Sequence, residues 1–187
     1  MDEPCRDEAL MAEVARGQRG ALEPLIRRHV TPLLTFIQRM TGDYHRGEEL
    51  FQDVFLAVWC KRHLYEYTRP FKTWLYAIAA NQCRHAFRRK QLATETLMDH
   101  GALVPALGRE SPVETVIASE TATLVGGALA LLPPQQRSVV VLRVWQQMSY
   151  AEIAQTLATG EGTVRAYMHH ALATLRKHLE PRLGEPG

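Results

Sequence analysis

Apolar residues recur at three- and four-residue spacings along most of this 187-residue chain, which is the pattern of amphipathic α-helices. Such stretches cover residues 21–40, a segment that starts near Asp43, and residues 71–90. Pro32 lies inside the first stretch and is expected to kink or split that helix. The apolar run at 139–142 could form a buried strand, but helical periodicity around it favours helix. Because no alternation typical of β-hairpins occurs, the sequence predicts an all-α fold.

Charge divides the chain into three parts. Residues 93–118 contain one basic residue against four acidic ones, with two glycines, two prolines and no Phe, Tyr or Trp. This composition predicts a flexible acidic linker. We therefore expect two small helical domains, residues 1–92 and residues 119–183, joined by that linker and followed by a short tail, residues 184–187.

The charge balance limits how the chain could meet nucleic acid. With 22 basic and 20 acidic residues the formal net charge is +2, so contacts to DNA or RNA must come from local patches. No apolar run approaches the roughly 20 residues of a membrane helix, and the acidic N-terminus does not resemble a secretory signal. The three cysteines are widely spaced, which argues against a disulfide framework. We expect a cytoplasmic protein without membrane insertion.

The strongest local pattern lies near the C-terminus. Ser149, with Glu152 three residues later, predicts a capping box at the start of a short helix that ends near Leu157. A turn over residues 158–162 follows, and then a longer helix over residues 163–178. Such a helix-turn-helix can place its second helix in the major groove of DNA. An ordinary helical hairpin with a solvated polar face is the alternative.

Side chains near the start of that second helix are the candidates for contact with base edges or phosphates. They are Thr163, Arg165, Ala166 and His169. The core shared by the two helices is expected to contain Ile153, Leu157, Val164 and Leu172.

A basic cluster ends the helical stretch at residues 71–90. Its members on one helix face, at three- and four-residue spacings, are Asn81, Arg84, His85 and Arg88, and Arg89 follows. Cations beside an asparagine suit phosphate contacts and some base reading. Cations at a helix C-terminus also offset the helix dipole, which is the alternative reading.

The loop before that helix is aromatic. It carries Tyr65, Tyr67 and Arg69, and exposed aromatics beside cations can stack on unpaired bases. Phe71 and Trp74 follow at helical spacing and fit a core position better.

The helix that starts near Asp43 carries a polar face opposite its apolar one. Glu49, Gln52 and Asp53 lie on this face. It is either a simply solvated surface or a docking surface for a basic partner helix.

Together these pieces resemble a bacterial sigma factor of the extracytoplasmic-function (ECF) group, within the sigma-70 family. The segments that resemble sigma region 2 are Gly42-Asp43, the string EELFQDVF from Glu48 to Phe55, the string FKTWLYAIAAN from Phe71 to Asn81, and Arg88-Arg89-Lys90. The segments that resemble sigma region 4 are the strings LPPQQR from Leu132, MSYAEIA from Met148 and GTVR from Gly162. Both blocks occur in this order across a linker, which makes the resemblance specific.

The resemblance implies a transcription initiation factor that is not itself an enzyme and needs no cofactor or metal. Such a protein binds core RNA polymerase at the β′ clamp helices and the β flap, and directs it to promoter DNA. The implied polymerase contacts are Leu50, Gln52, Asp53 and Phe55. The implied −10 contacts are Tyr65, Tyr67, Arg69, Lys72, Asn81, Arg84, His85, Arg88 and Arg89. The implied −35 contacts are Thr163, Arg165, Ala166, Tyr167, His169 and His170. An anti-sigma factor is a possible further partner.

The second helix departs from the family pattern. Three arginines typical of the family are replaced by Tyr167, His170 and Leu172. Because fewer cations displace fewer counterions, we expect weaker or altered −35 binding, with more of the affinity carried by the −10 half.

Two other classes of protein fit parts of the sequence. A LuxR-type helix-turn-helix regulator explains the C-terminal pattern but leaves the first 92 residues without a role. A sigma-like adaptor that acts only through protein contacts fits the missing arginines. Run-off transcription with core polymerase separates the three, because only a sigma factor restores promoter-specific initiation by itself.

Overall fold

A computed structural model of the chain describes residues 6–99 and 116–183, and the regular structure within these ranges is entirely helical. Its α-helices are α1 (Asp7–Ala15), α2 (Leu22–Thr41), α3 (Tyr44–Cys60), α4 (Phe71–Asp99), α5 (Val116–Ala130), α6 (Pro134–Val144), α7 (Tyr150–Thr156) and α8 (Glu161–Leu183). Short 3₁₀ helices at Arg19–Ala21 and Arg62–Leu64 precede α2 and follow α3. We call α1–α4 the N-terminal bundle and α5–α8 the C-terminal bundle.

The N-terminal bundle is built on α2, α3 and α4, whose apolar faces meet in one core. Phe36 from α2 and Tyr76 from α4 are fully buried, and their rings meet edge to face with centroids 5.2 Å apart. Contrary to the expected split, α2 runs unbroken through Pro32. The helix predicted at residues 71–90 is also longer than expected, because α4 continues to Asp99.

The predicted boundary at Asp43 is confirmed, and it depends on two adjacent residues. Gly42 ends α2 in the left-handed region at φ 71°, and its N–H donates to the Gln38 carbonyl oxygen. Asp43 then caps α3, since its Oδ1 accepts from the Arg46 N–H at 3.2 Å. The dipeptide therefore ends one helix and starts the next.

Helix α1 was not predicted from the sequence, yet it ties the bundle together. The Glu8 Oε1 accepts from the backbone N–H of Phe71 at 2.9 Å, so α1 supplies a carboxylate to the start of α4. Asp7 binds α2 through Arg28 Nη1 at 2.8 Å and His29 Nε2 at 2.7 Å. Both contacts join segments that are distant in sequence, which explains why local pattern did not reveal them.

The C-terminal bundle contains the predicted helix-turn-helix. Ser149 and Glu152 form the expected capping box at the start of α7, and α8 follows after a short turn. Ile153 and Val164 are fully buried, as predicted. The prediction for Leu172 was wrong: its side chain is 52% exposed, and the neighbouring Ala171 is buried instead.

The two bundles lie against each other, with α2 packed on α6 and α4 packed on α7. Their buried apolar residues form one contiguous cluster. The ends of the segment predicted as a linker are helical, because α4 reaches Asp99 and α5 begins at Val116. The rest of that predicted linker, residues 100–115, lies outside the described residues, as does the predicted tail at 184–187.

Candidate nucleic-acid interface

An open cleft of about 770 Å³ lies between α3 and the second half of α4. Its lining residues are Asp53, Leu56, Ala57, Cys60, Lys61, Gln82, His85, Arg88 and Arg89. The fold therefore brings a predicted polymerase contact, Asp53, to the same surface as three predicted −10 contacts on α4. The α3 wall offers the carboxylate of Asp53, the apolar side chain of Leu56 and, at its end, Lys61, and the α4 wall offers Arg88 and Arg89.

Helix α3 determines which of its predicted contacts can reach a partner. Gln52 and Asp53 are exposed, as the sequence suggested. Leu50 and Phe55 are buried in the bundle core at 3% and 5% exposure, so their side chains are corrected from surface contacts to core residues. Leu56 was not singled out in the sequence, yet it is 61% exposed at the cleft. Its spacing, three residues after Asp53 and four after Gln52, is the sequence signal that could have placed it on the polar face of the helix.

The cationic residues of α4 do not all act as one set. Arg84 is half-buried and its Nη1 donates to Asn81 Oδ1 at 3.0 Å, which fixes both side chains along the helix. His85, Arg88 and Arg89 are exposed and line the cleft. Because α4 continues to Asp99, these residues lie within the helix and not at its end, so they do not offset the helix dipole at a C-terminus. Arg88 and Arg89 present cations at the cleft, as phosphate contacts require.

The aromatic loop exposes only one of its two tyrosines. Tyr65 is 5% exposed, and its hydroxyl donates to the Arg69 carbonyl oxygen at 2.7 Å. Burial, with Glu8 nearby, raises the pKa of the Tyr65 phenol to about 12. The predicted stacking role of Tyr65 is therefore corrected to a structural one. Tyr67 packs its ring edge-on against Tyr65, stays 54% exposed and is free to stack on a base.

Lys72 lies at the other end of α4 from the cleft. Its Nζ donates to the backbone carbonyl of Gln146, in the turn between α6 and α7, at 2.7 Å. The N-terminal end of α4 is therefore occupied by the C-terminal bundle in this arrangement.

The start of α8 has the exposure that a recognition helix needs. The exposed residues among the candidates are Thr163, Arg165, Ala166, His169 and His170. Tyr167 is half-buried and packs against the core, so only part of its side chain is accessible. Arg165 forms an ion pair with Glu161 and lies over the Tyr150 ring, with its guanidinium carbon 4.9 Å from the ring centroid. Its cation is thus held at the N-terminal end of α8.

Two polar residues that join the bundles were not identified from the sequence. Arg137 and Gln146 are each buried and bind backbone oxygens of α2. Arg137 appeared in the sequence analysis only as the last residue of the LPPQQR string, and Gln146 gave no signal. Their partners lie about 100 residues earlier in the chain, where no local pattern can indicate them.

Helical structure throughout residues 6–99 and 116–183, an exposed helix-turn-helix and a basic patch on α4 are typical of the class of DNA-binding transcription proteins. Two family models match it: Sigma-70 region 2 over residues 25–93, and Sigma-70, region 4 over residues 123–175. The ECF RNA polymerase sigma factor SigM of Mycobacterium tuberculosis is 32% identical over 174 residues, covering 92% of this chain and 84% of that protein. The chain belongs to the ECF sigma factors of the sigma-70 family, and it is a transcription initiation factor.

Further relatives agree on family and fold. The ECF RNA polymerase sigma factor SigW of Bacillus subtilis is 26% identical over 176 residues, covering 89% of this chain and 93% of that protein. The sigma factor RpoE from Bartonella quintana, solved in complex with the anti-sigma factor NepR, has a similar fold. Its TM-score is 0.68 at 19% identity, covering 84% of this chain and 96% of that chain. The LuxR-type and adaptor alternatives are not favoured. Among the described residues, no helix has both the length and the apolar character to cross a bilayer.

Proposed function

We propose that this sigma factor divides its work between three surfaces. Helix α3 binds core polymerase at the β′ clamp helices through Gln52, Asp53 and Leu56. Tyr67 and the exposed cations of α4 bind the −10 element. The start of α8 binds the −35 element, and the C-terminal bundle meets the β flap.

The observation that carries this proposal is the open cleft between α3 and α4. Leu50, Val54, Phe55 and Val58 of α3 are buried, whereas Leu56 is left exposed beside the carboxylate of Asp53. An exposed apolar residue next to a free charge is typical of a protein-binding surface with an apolar centre and a polar rim. The cations of the opposite wall allow the same region to meet DNA phosphates.

Substitution of Asp53 tests the polymerase contact. Asp53→Arg reverses one charge on an exposed site, so we expect core-polymerase affinity and run-off transcription to fall about tenfold or more while the protein stays folded. The matched control is Glu23→Arg, which makes the same charge change on an exposed residue of α2 outside the cleft. Equal affinities of both variants for core polymerase in a pull-down would exclude the α3 surface.

An anti-sigma factor is part of the same proposal. The structural relative RpoE was solved bound to one, NepR, which supports a comparable partner here. The cleft offers apolar Leu56 flanked by Lys61, Arg88 and Arg89, a combination that suits an acidic amphipathic helix. Such a helix would compete directly with polymerase at α3.

We also propose that the protein acts in the cytoplasm and contributes no catalysis of its own. Its contribution is binding energy: it positions the polymerase and captures separated DNA strands, while the polymerase carries out RNA synthesis. The purified chain should restore promoter-specific initiation when core polymerase is added. Without core polymerase, it should neither hydrolyse nucleotides nor join them into RNA.

A further inference from the structure

Helix α1 packs against the segments on both sides of the aromatic loop, and none of the three surfaces proposed above includes any of its residues. Met11 and Val14 of α1 are fully buried in the bundle core. The helix contacts the 3₁₀ helix Arg62–Leu64 just before the loop, and α4 just after it. We call residues 65–70 the capture loop, because they include the exposed ring that is assigned to base stacking.

The residue before α4 cannot supply the usual side-chain cap. It is Pro70, whose ring has no oxygen to accept from the free N–H groups of the first helical turn. Instead, the Glu8 Oε1 accepts from the Phe71 N–H at 2.9 Å, across 63 positions of sequence. A carboxylate at the start of a helix is also favoured by the helix dipole. One half-buried side chain of α1 therefore fixes the point at which the capture loop becomes α4.

Phe71 connects this hydrogen bond to the two tyrosines of the capture loop. Its buried ring meets the Tyr65 ring edge to face, with centroids 6.2 Å apart, and the Tyr67 ring rests edge-on against Tyr65 at 5.4 Å. Burial raises the pKa of the Tyr65 phenol to about 12, with the charge of Glu8 as the next contribution, so the carboxylate lies near that ring. We call Glu8, Phe71 and Tyr65 the brace, because Tyr67 is supported by them in this order.

The neighbouring carboxylate, Asp7, holds α1 in the register that the brace needs. Its Oδ2 lies 2.7 Å from Nε2 of His29, and the His29 ring meets the Phe71 ring at 5.4 Å between centroids. Phe71 is thus enclosed by aromatic rings on two sides, while its N–H is bound by Glu8. Adjacent residues of α1 therefore fix both the helix itself and the start of α4.

We propose that Glu8 is a positioning residue for base capture, which holds Tyr67 through Phe71 and Tyr65 in the orientation that stacks on an unpaired base of the −10 element. A ring that is held in place before DNA arrives loses less conformational freedom on binding, so the brace increases affinity without touching DNA. This role rests on the proposed function, because it assigns stacking to Tyr67. The brace itself rests only on the contacts between α1, Phe71 and the tyrosines.

Hydrogen exchange of the full-length chain, measured by mass spectrometry on peptides that cover residues 65–74, tests the brace. Glu8→Ala removes the acceptor for the Phe71 N–H, so exchange in these peptides should become about tenfold faster, the factor for one lost hydrogen bond to a charged group. Glu8→Gln keeps an oxygen acceptor and should restore most of the protection. Glu13→Ala is the matched control, since it removes the same charge from another half-buried position of α1. Peptides from α8 report any global unfolding.

Fluorescence anisotropy of the same proteins with a labelled single-stranded oligothymidylate tests the effect on base capture. Tyr67→Ala should weaken binding about fivefold or more, because one stacked base is lost. Glu8→Ala should weaken it about threefold, the factor that applies if the ring is correctly placed for about a third of the time. Glu8→Gln and Glu13→Ala make the same charge change and should bind like the wild type. Glu8→Ala combined with Tyr67→Ala should bind no more weakly than Tyr67→Ala alone, because Glu8 acts through that ring.

The remaining outcomes separate the parts of the proposal. Unchanged exchange in Glu8→Ala, or equal acceleration in Glu13→Ala or in the α8 peptides, overturns the brace. Faster loop exchange with wild-type affinity for the oligonucleotide, while Tyr67→Ala binds weakly, overturns the positioning role. Losses that add in the double variant overturn it as well, because Glu8 then acts elsewhere. Wild-type binding by Tyr67→Ala instead overturns the proposed stacking role of Tyr67, and the exchange rates then decide the brace alone.

Discussion

The capping residues of α7 show how one side chain is tuned by its neighbours. Glu152 Oε2 accepts from both the backbone N–H and the hydroxyl of Ser149 at 2.7 Å, and Ser149 Oγ accepts from the Glu152 N–H at 3.2 Å. These hydrogen bonds, with a smaller contribution from Lys72 of α4, lower the pKa of the Glu152 carboxyl. The cap is therefore strongest when the carboxylate is ionised.

Ser149→Ala removes this cap, and we expect a loss of about 1 kcal/mol of stability at pH 7. Because the pKa of Glu152 is lower in the folded state, its contribution is fully present above the unfolded pKa and disappears as the pH falls through the folded value. The difference between variant and wild type should therefore shrink in strongly acidic solution. Urea unfolding of both proteins at pH 7 and in strongly acidic solution measures this difference in stability. Gln155→Ala, a substitution at an exposed residue of α7, serves as control. A pH-independent difference would contradict it.

Also at the residue scale, Tyr65 and Tyr67 show a limit of what local sequence can predict about side-chain exposure. Both tyrosines lie in one loop two residues apart, so composition and spacing treat them alike. Only the packing of Tyr65 against Phe71 and Trp74 decides that Tyr67 is the accessible ring.

At the scale of the element, α8 combines a predicted position with an unpredicted set of partners. Arg165 lies in the first turns of the helix, exposed, and is held by Glu161 and the Tyr150 ring. Contact with a DNA phosphate requires the cation to leave or share these partners. The helix therefore presents a positioned cation even though three arginines typical of the family are missing.

Arg165→Ala should weaken duplex DNA binding uniformly across sequences and reduce the slope of log affinity against log salt by about 1, because one phosphate contact is lost. The control is Arg176→Ala, which removes a cation further along α8. Anisotropy titrations over a range of salt concentrations provide the slopes. Equal slopes for wild type and Arg165→Ala would exclude a phosphate contact at this residue.

At the scale of the whole molecule, Arg137 couples the stability of the two bundles. Arg137→Ala leaves the carbonyl oxygens of Met40, Ala130 and Leu132 without their charged donor, so we expect a loss of about 3 kcal/mol or more. Arg137→Lys should recover only part of it, since an ammonium cannot reproduce the planar fork. Urea unfolding followed by tryptophan fluorescence measures both variants. Losses below about 1 kcal/mol for Arg137→Ala would contradict this role.

The sequence alone determined α2, α3, α7 and α8 and several of the helix boundaries. The Gly42-Asp43 boundary, the capping box and the helix-turn-helix were all predictable, because each depends on residues within one or two turns of each other. Exposure of most candidate contacts followed from the same periodicity.

Only the tertiary structure decided which side chains are available. It buried Tyr65, exposed Leu172, and engaged Arg137 and Gln146 with α2. These outcomes depend on contacts between residues up to 114 positions apart, such as Gln146 with Pro32. Helical periodicity gives the direction of a side chain from its own helix, but burial depends on which other helix packs there, and that is a property of the assembled chain.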